Sequence, residues 1–183
     1  MHCPVCKTSP LQPHPLEARL PAQHCPQCDG NWLNSAQYFD WLDADPTPLV
    51  EQPYTGPLLS LADDTQAKLC PECKHIMRRY EVGHDTHITL DQCASCDGMW
   101  FDRHEWDALK GRQLHRTVHL VFSAPWQNQI RHARVTAQLT EIHQQRFGDD
   151  FARLNDLHTW IHQHPKKADM LAFLQDATPF KEG

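Results

Sequence analysis

The sequence predicts a small α+β protein in which two metal-stabilised β-ribbon units, each followed by a short helix, precede an α-helical C-terminal module. Three observations support this prediction. All eight cysteines of the 183-residue chain fall into four Cys-x-x-Cys pairs. The segment that holds the first two pairs recurs later in the chain. Residues 112–183 contain no cysteine and carry apolar residues at helical spacing.

The spacing of the cysteine pairs is typical of tetrahedral zinc sites. The pairs are Cys3/Cys6, Cys25/Cys28, Cys70/Cys73 and Cys93/Cys96. Eighteen residues separate the first pair from the second and nineteen separate the third from the fourth, within the interval of about 15–20 residues that zinc sites use. Each Cys-x-x-Cys turn, or knuckle, presents two thiolates on one side, and two knuckles complete a tetrahedron. We therefore predict two zinc ions per chain, with all eight cysteines as ligands.

Three alternatives to zinc are weaker. A disulfide framework needs an oxidising compartment, but the N-terminal segment MHCPVCKTSP has no apolar stretch, so we expect no secretory signal and a reducing cytoplasmic location. A thioredoxin-like redox site uses one pair at a strand-to-helix junction, and four evenly grouped pairs do not fit it. Iron or an iron–sulfur cluster is the third alternative.

An internal repeat relates the two halves of the cysteine-containing region. CPVCK at residues 3–7 recurs as CPECK at 70–74, and CPQCDGNWL at 25–33 recurs as CASCDGMWF at 93–101. In each copy a glycine stands two places after the last cysteine, where we expect a positive φ as the chain leaves the knuckle. These glycines are Gly30 and Gly98.

The residues that follow each second knuckle favour a helix. Asn34-x-x-Gln37 and Asp102-x-x-Glu105 are variants of the capping box that opens helices. Asp45-Pro46 is expected to end the first helix and Gly111 the second.

Short antiparallel strands are expected between the knuckles of each copy. Residues 80–90 (YEVGHDTHITL) are typical of a hairpin with Gly83-His84-Asp85 at its turn. The equivalent residues 10–24 contain four prolines, so we expect a less regular structure there.

These motifs resemble the transcription factor IIB-type zinc-ribbon (zf-TFIIB) family, which occurs in many bacterial proteins. The signature is C-P-x-C, then C-x-x-C-x-G-x-W-[LF]-[DN] and a short helix, and it covers residues 1–43 and 68–110 as two tandem copies. Ala94 replaces the usual proline and Asn34 the usual aspartate, but neither is a ligand. The resemblance implies zinc-bound β-ribbons and, by the family's name, a link to transcription; the fold alone does not establish a function.

The predicted fold is therefore a zinc-stabilised α+β arrangement with four segments. Zinc ribbon 1 covers residues 1–43, a Pro-rich linker 44–67, zinc ribbon 2 68–111, and an α-helical C-terminal module 112–183.

The C-terminal module is predicted to contain three helices. The first covers 126–147 and is apolar on two sides, which favours self-association, most simply as a two-fold dimer. Asp149 or Asp150 would cap the second, and His164-Pro165 would end it. The third covers 166–176, with Leu171 and Leu174 facing inward.

Charge distribution separates two functional hypotheses. Residues 1–69 carry a net charge of -5, residues 70–110 carry -3, and residues 111–183 carry +2. Each four-thiolate zinc site adds about -2. Because acidic ribbons oppose binding to phosphate backbones, we favour a protein-interaction adaptor, with transcription as the setting that the family name implies. The alternative is a nucleic-acid-binding regulator that uses the basic stretch 112–147, which holds five arginines.

The remaining residues give no indication of catalysis or of membrane insertion. The sequence contains no nucleophile elbow, P-loop or H-E-x-x-H motif, so we expect no enzyme activity. It contains no apolar run of about 20 residues. Histidines at i, i+4 spacing are more typical of surface or capping roles than of metal ligation. The histidines beside the knuckles are expected to make contacts that support the ligands. The former are His115/His119 and His158/His162, and the latter His24 and His75. Trp32 and Trp100 are expected to pack against the zinc sites.

Overall fold

The structure is a computed structural model that describes residues 1–44, 66–83 and 88–176. The interior of the predicted Pro-rich linker, with Asp45-Pro46, and the predicted turn residues His84 and Asp85 lie outside the described residues. The described elements are β1 Gln12–Glu17, β2 Leu20–His24, β3 Asn31–Leu33, α1 Ser35–Ala44, β4 Met77–Glu81, β5 Thr89–Cys93, β6 Met99–Phe101, α2 Glu105–Gly111, α3 Val118–Val121, α4 Ala124–Phe147, a 3-10 turn Gly148–Asp150, α5 Phe151–Gln163 and α6 Lys167–Gln175.

A single six-stranded antiparallel sheet unites the two ribbons. Its strand order is β1-β2-β3-β6-β5-β4, so each ribbon supplies three strands and the last strands of the two ribbons meet in the middle. Trp32 of β3 lies opposite Trp100 of β6, with Asn31 opposite Phe101 and Leu33 opposite Met99. The zinc-stabilised α+β fold is confirmed, and the two copies are related by an approximate two-fold arrangement of their strands.

The first hairpin is more regular than its prolines predict. β1 pairs with β2 from Gln12 opposite His24 to Glu17 opposite Leu20, with one irregularity between Pro15 and Glu17. β1 is an edge strand, and one side of an edge strand requires no N–H donors. Prolines 13 and 15 are therefore tolerated in it.

The two predicted capping boxes differ in the structure. Asn34 accepts a hydrogen bond from the Ala36 N–H at 2.9 Å, as a helix cap does. In the second copy the opposite half of the box forms: Glu105 accepts from the Asp102 N–H at 2.7 Å, while the Asp102 carboxylate binds Lys68 and Trp100. α2 consequently begins at Glu105, and it ends at Gly111 as predicted.

The helices that follow the ribbons cover one part of the sheet. Two compact units are present, residues 1–133 and 134–183, so residues 112–133 pack with the ribbons although the sequence assigns them to the helical module. Tyr38 of α1 holds this segment: its hydroxyl donates to the His115 carbonyl at 3.0 Å and accepts from the Val118 N–H at 3.1 Å. The start of α4 is held to β4 and the residue after it, where Trp126 donates to the Val82 carbonyl at 3.1 Å.

The second unit is helical and leaves most of its apolar side chains exposed. Of the described residues 134–176, only Ile161 is buried. Leu171 and Leu174, predicted to face inward, line open grooves against α5 but remain 39% and 56% exposed, so neither is buried. α6 carries apolar residues at successive positions, which point about 100° apart, so one neighbouring helix cannot cover them all.

The helix boundaries in this unit follow the sequence. α4 ends at Phe147, and α5 ends at Gln163, before His164-Pro165. Asp150 precedes α5 but makes no side-chain capping hydrogen bond, so capping by this residue is not observed. Within the part of the chain that the structure describes, no helix has the length and apolar character required to cross a membrane.

Candidate metal centres

Two groups of four cysteines converge, one in each ribbon. Each group combines the knuckle before the hairpin with the knuckle before the last strand of the same ribbon, and within each group the four sulfurs lie within 4.8 Å of one another. The groups are Cys3, Cys6, Cys25 and Cys28, and Cys70, Cys73, Cys93 and Cys96. These are the predicted sets, and among the described residues no other cluster of potential metal ligands comes together in this way.

The separations between sulfurs fit one tetrahedral ion in each group. A Zn–S bond of about 2.3 Å places the corners of a regular tetrahedron about 3.8 Å apart. The observed separations are Cys3–Cys28 3.6 Å, Cys6–Cys25 3.9 Å, Cys70–Cys96 3.6 Å, Cys73–Cys93 3.3 Å and Cys73–Cys96 3.8 Å. A disulfide requires about 2.05 Å, and all eight cysteines are free.

The protonation of the thiols also favours a bound cation. Burial raises the pKa of Cys3 to about 11, and it raises the pKa values of Cys28 and Cys96 as well. Burial would raise the pKa of Cys25 too, but hydrogen bonds with Ser9 and with the knuckle backbone lower it to about 6. Four sulfurs this close cannot all ionise at neutral pH without a compensating charge, and a dication supplies that charge.

Backbone and side-chain groups around the ligands are arranged as in a structural zinc site. The Cys6 N–H donates to the Cys3 sulfur at 3.3 Å, and the Cys73 N–H donates to the Cys70 sulfur at 3.4 Å. His75 Nδ1 lies 3.3 Å from the Cys73 sulfur, which confirms its predicted supporting role.

His24 behaves differently from its predicted role. Its Nδ1 lies 3.2 Å from Asn31 Oδ1 and its Nε2 lies 3.7 Å from Asp29 Oδ1. His24 therefore contacts the residues that follow the second knuckle, and neither of these two contacts involves a sulfur.

The glycine after each second knuckle is required for space. A positive φ occurs at the preceding aspartates, Asp29 (59°) and Asp97 (54°), which tolerate the left-handed region. The prediction of a positive φ at the glycines is therefore wrong. A Cβ added to Gly30 would lie 2.2 Å from Cζ2 of Trp100, and one added to Gly98 would lie 2.1 Å from Cζ2 of Trp32.

The two tryptophans pack against the metal sites as predicted, but each also covers the other ribbon. They are 1% and 0% exposed and share one apolar cluster with cysteines of both groups. The motif predicts an indole near its own site. The contact of each indole with the other ribbon depends on the β3–β6 pairing, and the sequence carries no local signal for that pairing.

A buried ion-pair network supports the second ribbon. Lys68 Nζ lies 2.7 Å from Asp91 Oδ2 and 2.8 Å from Asp102 Oδ2, with 2% of its side chain exposed. Burial alone would lower the pKa of Lys68, but the two carboxylates raise it. Asp102 also accepts a hydrogen bond from Trp100 Nε1 at 2.7 Å. The network therefore links the start of the third knuckle to the indole between the ribbons. The sequence gives no sign of it, because these charges are far apart along the chain.

In the part of the chain that the structure describes, the i, i+4 histidine pairs do not complete metal sites. His115 and His119 are half-buried among aromatic rings, and their buried Nδ1 atoms have no hydrogen-bond partner among the described residues, so the prediction of a surface or capping role is wrong for them. Burial lowers the pKa values of both. His158 and His162 are exposed, and their ring centroids lie 4.2 Å apart.

The chemistry of the donor sets is that of structural zinc. Four thiolates per group fill a tetrahedral shell and leave no open position for a substrate or a reactive water. When bound, zinc supplies the cross-link between knuckles that ribbons of this size need for stability. The eight cysteines would hold it.

Comparison with protein families agrees with this assignment. Residues 2–44 and 69–112 match the family model Zn_ribbon_TFIIB, described as a transcription factor zinc-finger. Comparisons with curated proteins and with solved structures give no match.

Proposed function

We propose that this chain, which carries two tandem zinc ribbons of the transcription factor IIB type, is a non-enzymatic zinc-binding adaptor that presents a helical surface to a protein partner. The ribbon half folds around two zinc sites whose ligand shells are complete. The helical half carries an apolar surface that the described chain does not cover.

That uncovered surface is the observation that carries the proposal. Val135, Leu139 and Ile142 form a stripe along α4 and are 52%, 50% and 55% exposed. On α5 and α6, Trp160 and Phe173 are 56% and 50% exposed. Monomeric proteins rarely leave so many large apolar side chains in one small unit uncovered, and such surfaces mark interaction sites.

The unit also contains an apolar groove. A cavity of about 450 Å³ is lined by residues of α4, α5 and α6, among them Phe147, Leu154 and Leu171. A groove of this kind accepts the apolar face of an amphipathic helix. A protein partner, including a second copy of the chain, therefore fits it better than a polyanion does.

The family's description as a transcription factor zinc-finger supports a transcription-related assembly as the setting. The closed thiolate shells support a role other than catalysis. Eight free thiols are compatible with a reducing compartment, which supports a cytoplasmic location.

A nucleic-acid-binding role through residues 112–147 is the competing proposal. Arg131, Arg134 and Arg146 are exposed on α4. Against it stands the acidic charge of both ribbons, to which each zinc–thiolate site adds about -2.

One experiment separates the two roles. The tagged full chain is recovered from its host with its partners, with and without nuclease treatment. Leu139→Lys, and the control Gln138→Lys at an exposed polar position of the same helix, are recovered in parallel. We expect protein partners that survive nuclease, are lost with Leu139→Lys and are retained with Gln138→Lys. Recovery that depends on nucleic acid, or that is indifferent to Leu139→Lys, would contradict the adaptor.

A further inference from the structure

We infer that the two four-cysteine groups form one cooperative two-zinc unit, in which each ribbon supplies the indole that supports the other ribbon's metal site. Trp100 of ribbon 2 lies on Gly30 of ribbon 1, and Trp32 of ribbon 1 lies on Gly98 of ribbon 2. At both glycines an added Cβ would overlap the indole carbons, so no side chain larger than hydrogen fits there. The two contacts are equivalent, as the strand pairing of Trp32 with Trp100 requires.

Each of these glycines is hydrogen-bonded to a ligand of its own site. The Gly30 carbonyl accepts from the Cys25 N–H at 2.8 Å, and the Gly98 carbonyl accepts from the Cys93 N–H at 2.9 Å. Each glycine also stands two places after the other ligand of the same knuckle, Cys28 or Cys96. An indole from one ribbon therefore packs on the peptide that closes a knuckle of the other ribbon.

Polar contacts also join the two ribbons beside their metal sites. Arg103 of ribbon 2 lies 3.4 Å from Asp29, which follows the last ligand of ribbon 1. Asn34 of ribbon 1 donates to Glu72, within the first knuckle of ribbon 2, at 3.4 Å. Each metal site therefore receives both an apolar and a polar contact from the other ribbon.

Shared packing makes the two sites energetically dependent on one another. Both tryptophans and cysteines of both groups belong to one buried cluster, and residues that share a packed cluster do not contribute independently. Loss of zinc from one group releases its knuckles and the last strand that carries its tryptophan. The other group then loses the indole that covers its glycine. The two zinc ions therefore dissociate cooperatively.

The wild-type chain provides the first test. Zinc is withdrawn from the full chain by titration with EDTA, and the populations with two, one and no zinc are counted by native mass spectrometry. Two independent sites would give a one-zinc population of about half at the midpoint, or more if their affinities differ. We expect the one-zinc species to remain well below that fraction. A one-zinc population of half or more would overturn the proposal.

A variant tests the route of the coupling. We expect Trp100→Ala to increase the alkylation rate of Cys28, in the other ribbon, by about tenfold or more, as read by peptide mass spectrometry. Trp106→Ala is the control, because Trp106 is also buried but belongs to a different apolar cluster. It should change the alkylation of Cys28 much less. An effect of Trp100→Ala confined to ribbon 2, or an equal effect of Trp106→Ala, would contradict the coupling through the indole.

Discussion

Substitution of Gly98 by alanine tests the close approach between the two ribbons. The added Cβ would lie 2.1 Å from Cζ2 and 2.3 Å from Cη2 of Trp32. Ordinary carbon–carbon contacts are about 3.5–4.0 Å, so the indole would have to retreat by more than about 1 Å. Trp32 is 1% exposed and lies in a packed cluster, which leaves little room for that movement.

The magnitude follows from two opposing effects. Overpacking a buried site costs about 1–3 kcal/mol. Gly→Ala at a position without positive φ gains about 0.4–1 kcal/mol, because the unfolded chain loses freedom. We therefore expect Gly98→Ala to lower the free energy of unfolding of the zinc-loaded chain by about 1–2 kcal/mol.

Urea unfolding, followed by tryptophan fluorescence in the presence of zinc, measures this loss. In the background Trp32→Phe, whose ring is smaller, the same alanine should cost less, which a double-mutant cycle would detect. Gly148→Ala is a contrasting substitution, since Gly148 has φ +53° and none of the described residues lies within 4 Å of the added Cβ, so its cost should be independent of Trp32. A Gly98→Ala chain as stable as the wild type, or an equal cost with Phe at residue 32, would refute the close packing of indole on glycine.

Three further predictions concern the ion pairs, pH and assembly. Lys68→Met leaves two carboxylates without their buried cation and should lower the free energy of unfolding by about 3 kcal/mol in urea titrations. The lowered pKa values of His115 and His119 mean that the unfolded chain takes up protons first, so thermal stability should fall as the pH drops below about 6.5 and be insensitive to these groups above it. The apolar stripe of α4 should give a two-fold dimer at micromolar concentration in light scattering, and Leu139→Lys should return the monomer.

Each of these three expectations has an outcome that contradicts it. If Lys68→Met leaves the free energy of unfolding unchanged, the ion pairs of Lys68 with Asp91 and Asp102 make no net contribution to stability. A double variant, His115→Phe with His119→Phe, should flatten the pH dependence just below about pH 6.5, and an unaltered slope would place the titrating groups elsewhere. A monomer mass for the wild-type chain would reject self-association.

The ligand sets and the helices were predictable because their signals are local. The spacing of the cysteine pairs identified both metal groups, and the α4 boundaries follow from periodicity and from Pro125 at its first turn. Gly111 ends α2 as a glycine at a helix end does.

The union of the ribbons was not predictable, because β3 pairs with β6 across about 70 residues of sequence. The role of Gly30 and Gly98 was misjudged for the same reason. The sequence does not distinguish a glycine that leaves space for a distant indole from a glycine that adopts a positive φ. Leu171 and Leu174 show a related limit, since an apolar position predicts burial only where a neighbouring element covers it.

Native mass spectrometry of the full chain, purified without added metal, tests the central claim most directly. We expect a mass excess of two zinc atoms per chain, removed together with folded structure when a strong chelator is added. A chain that binds one zinc atom or none, or that shows the visible absorption of an iron centre, would contradict it.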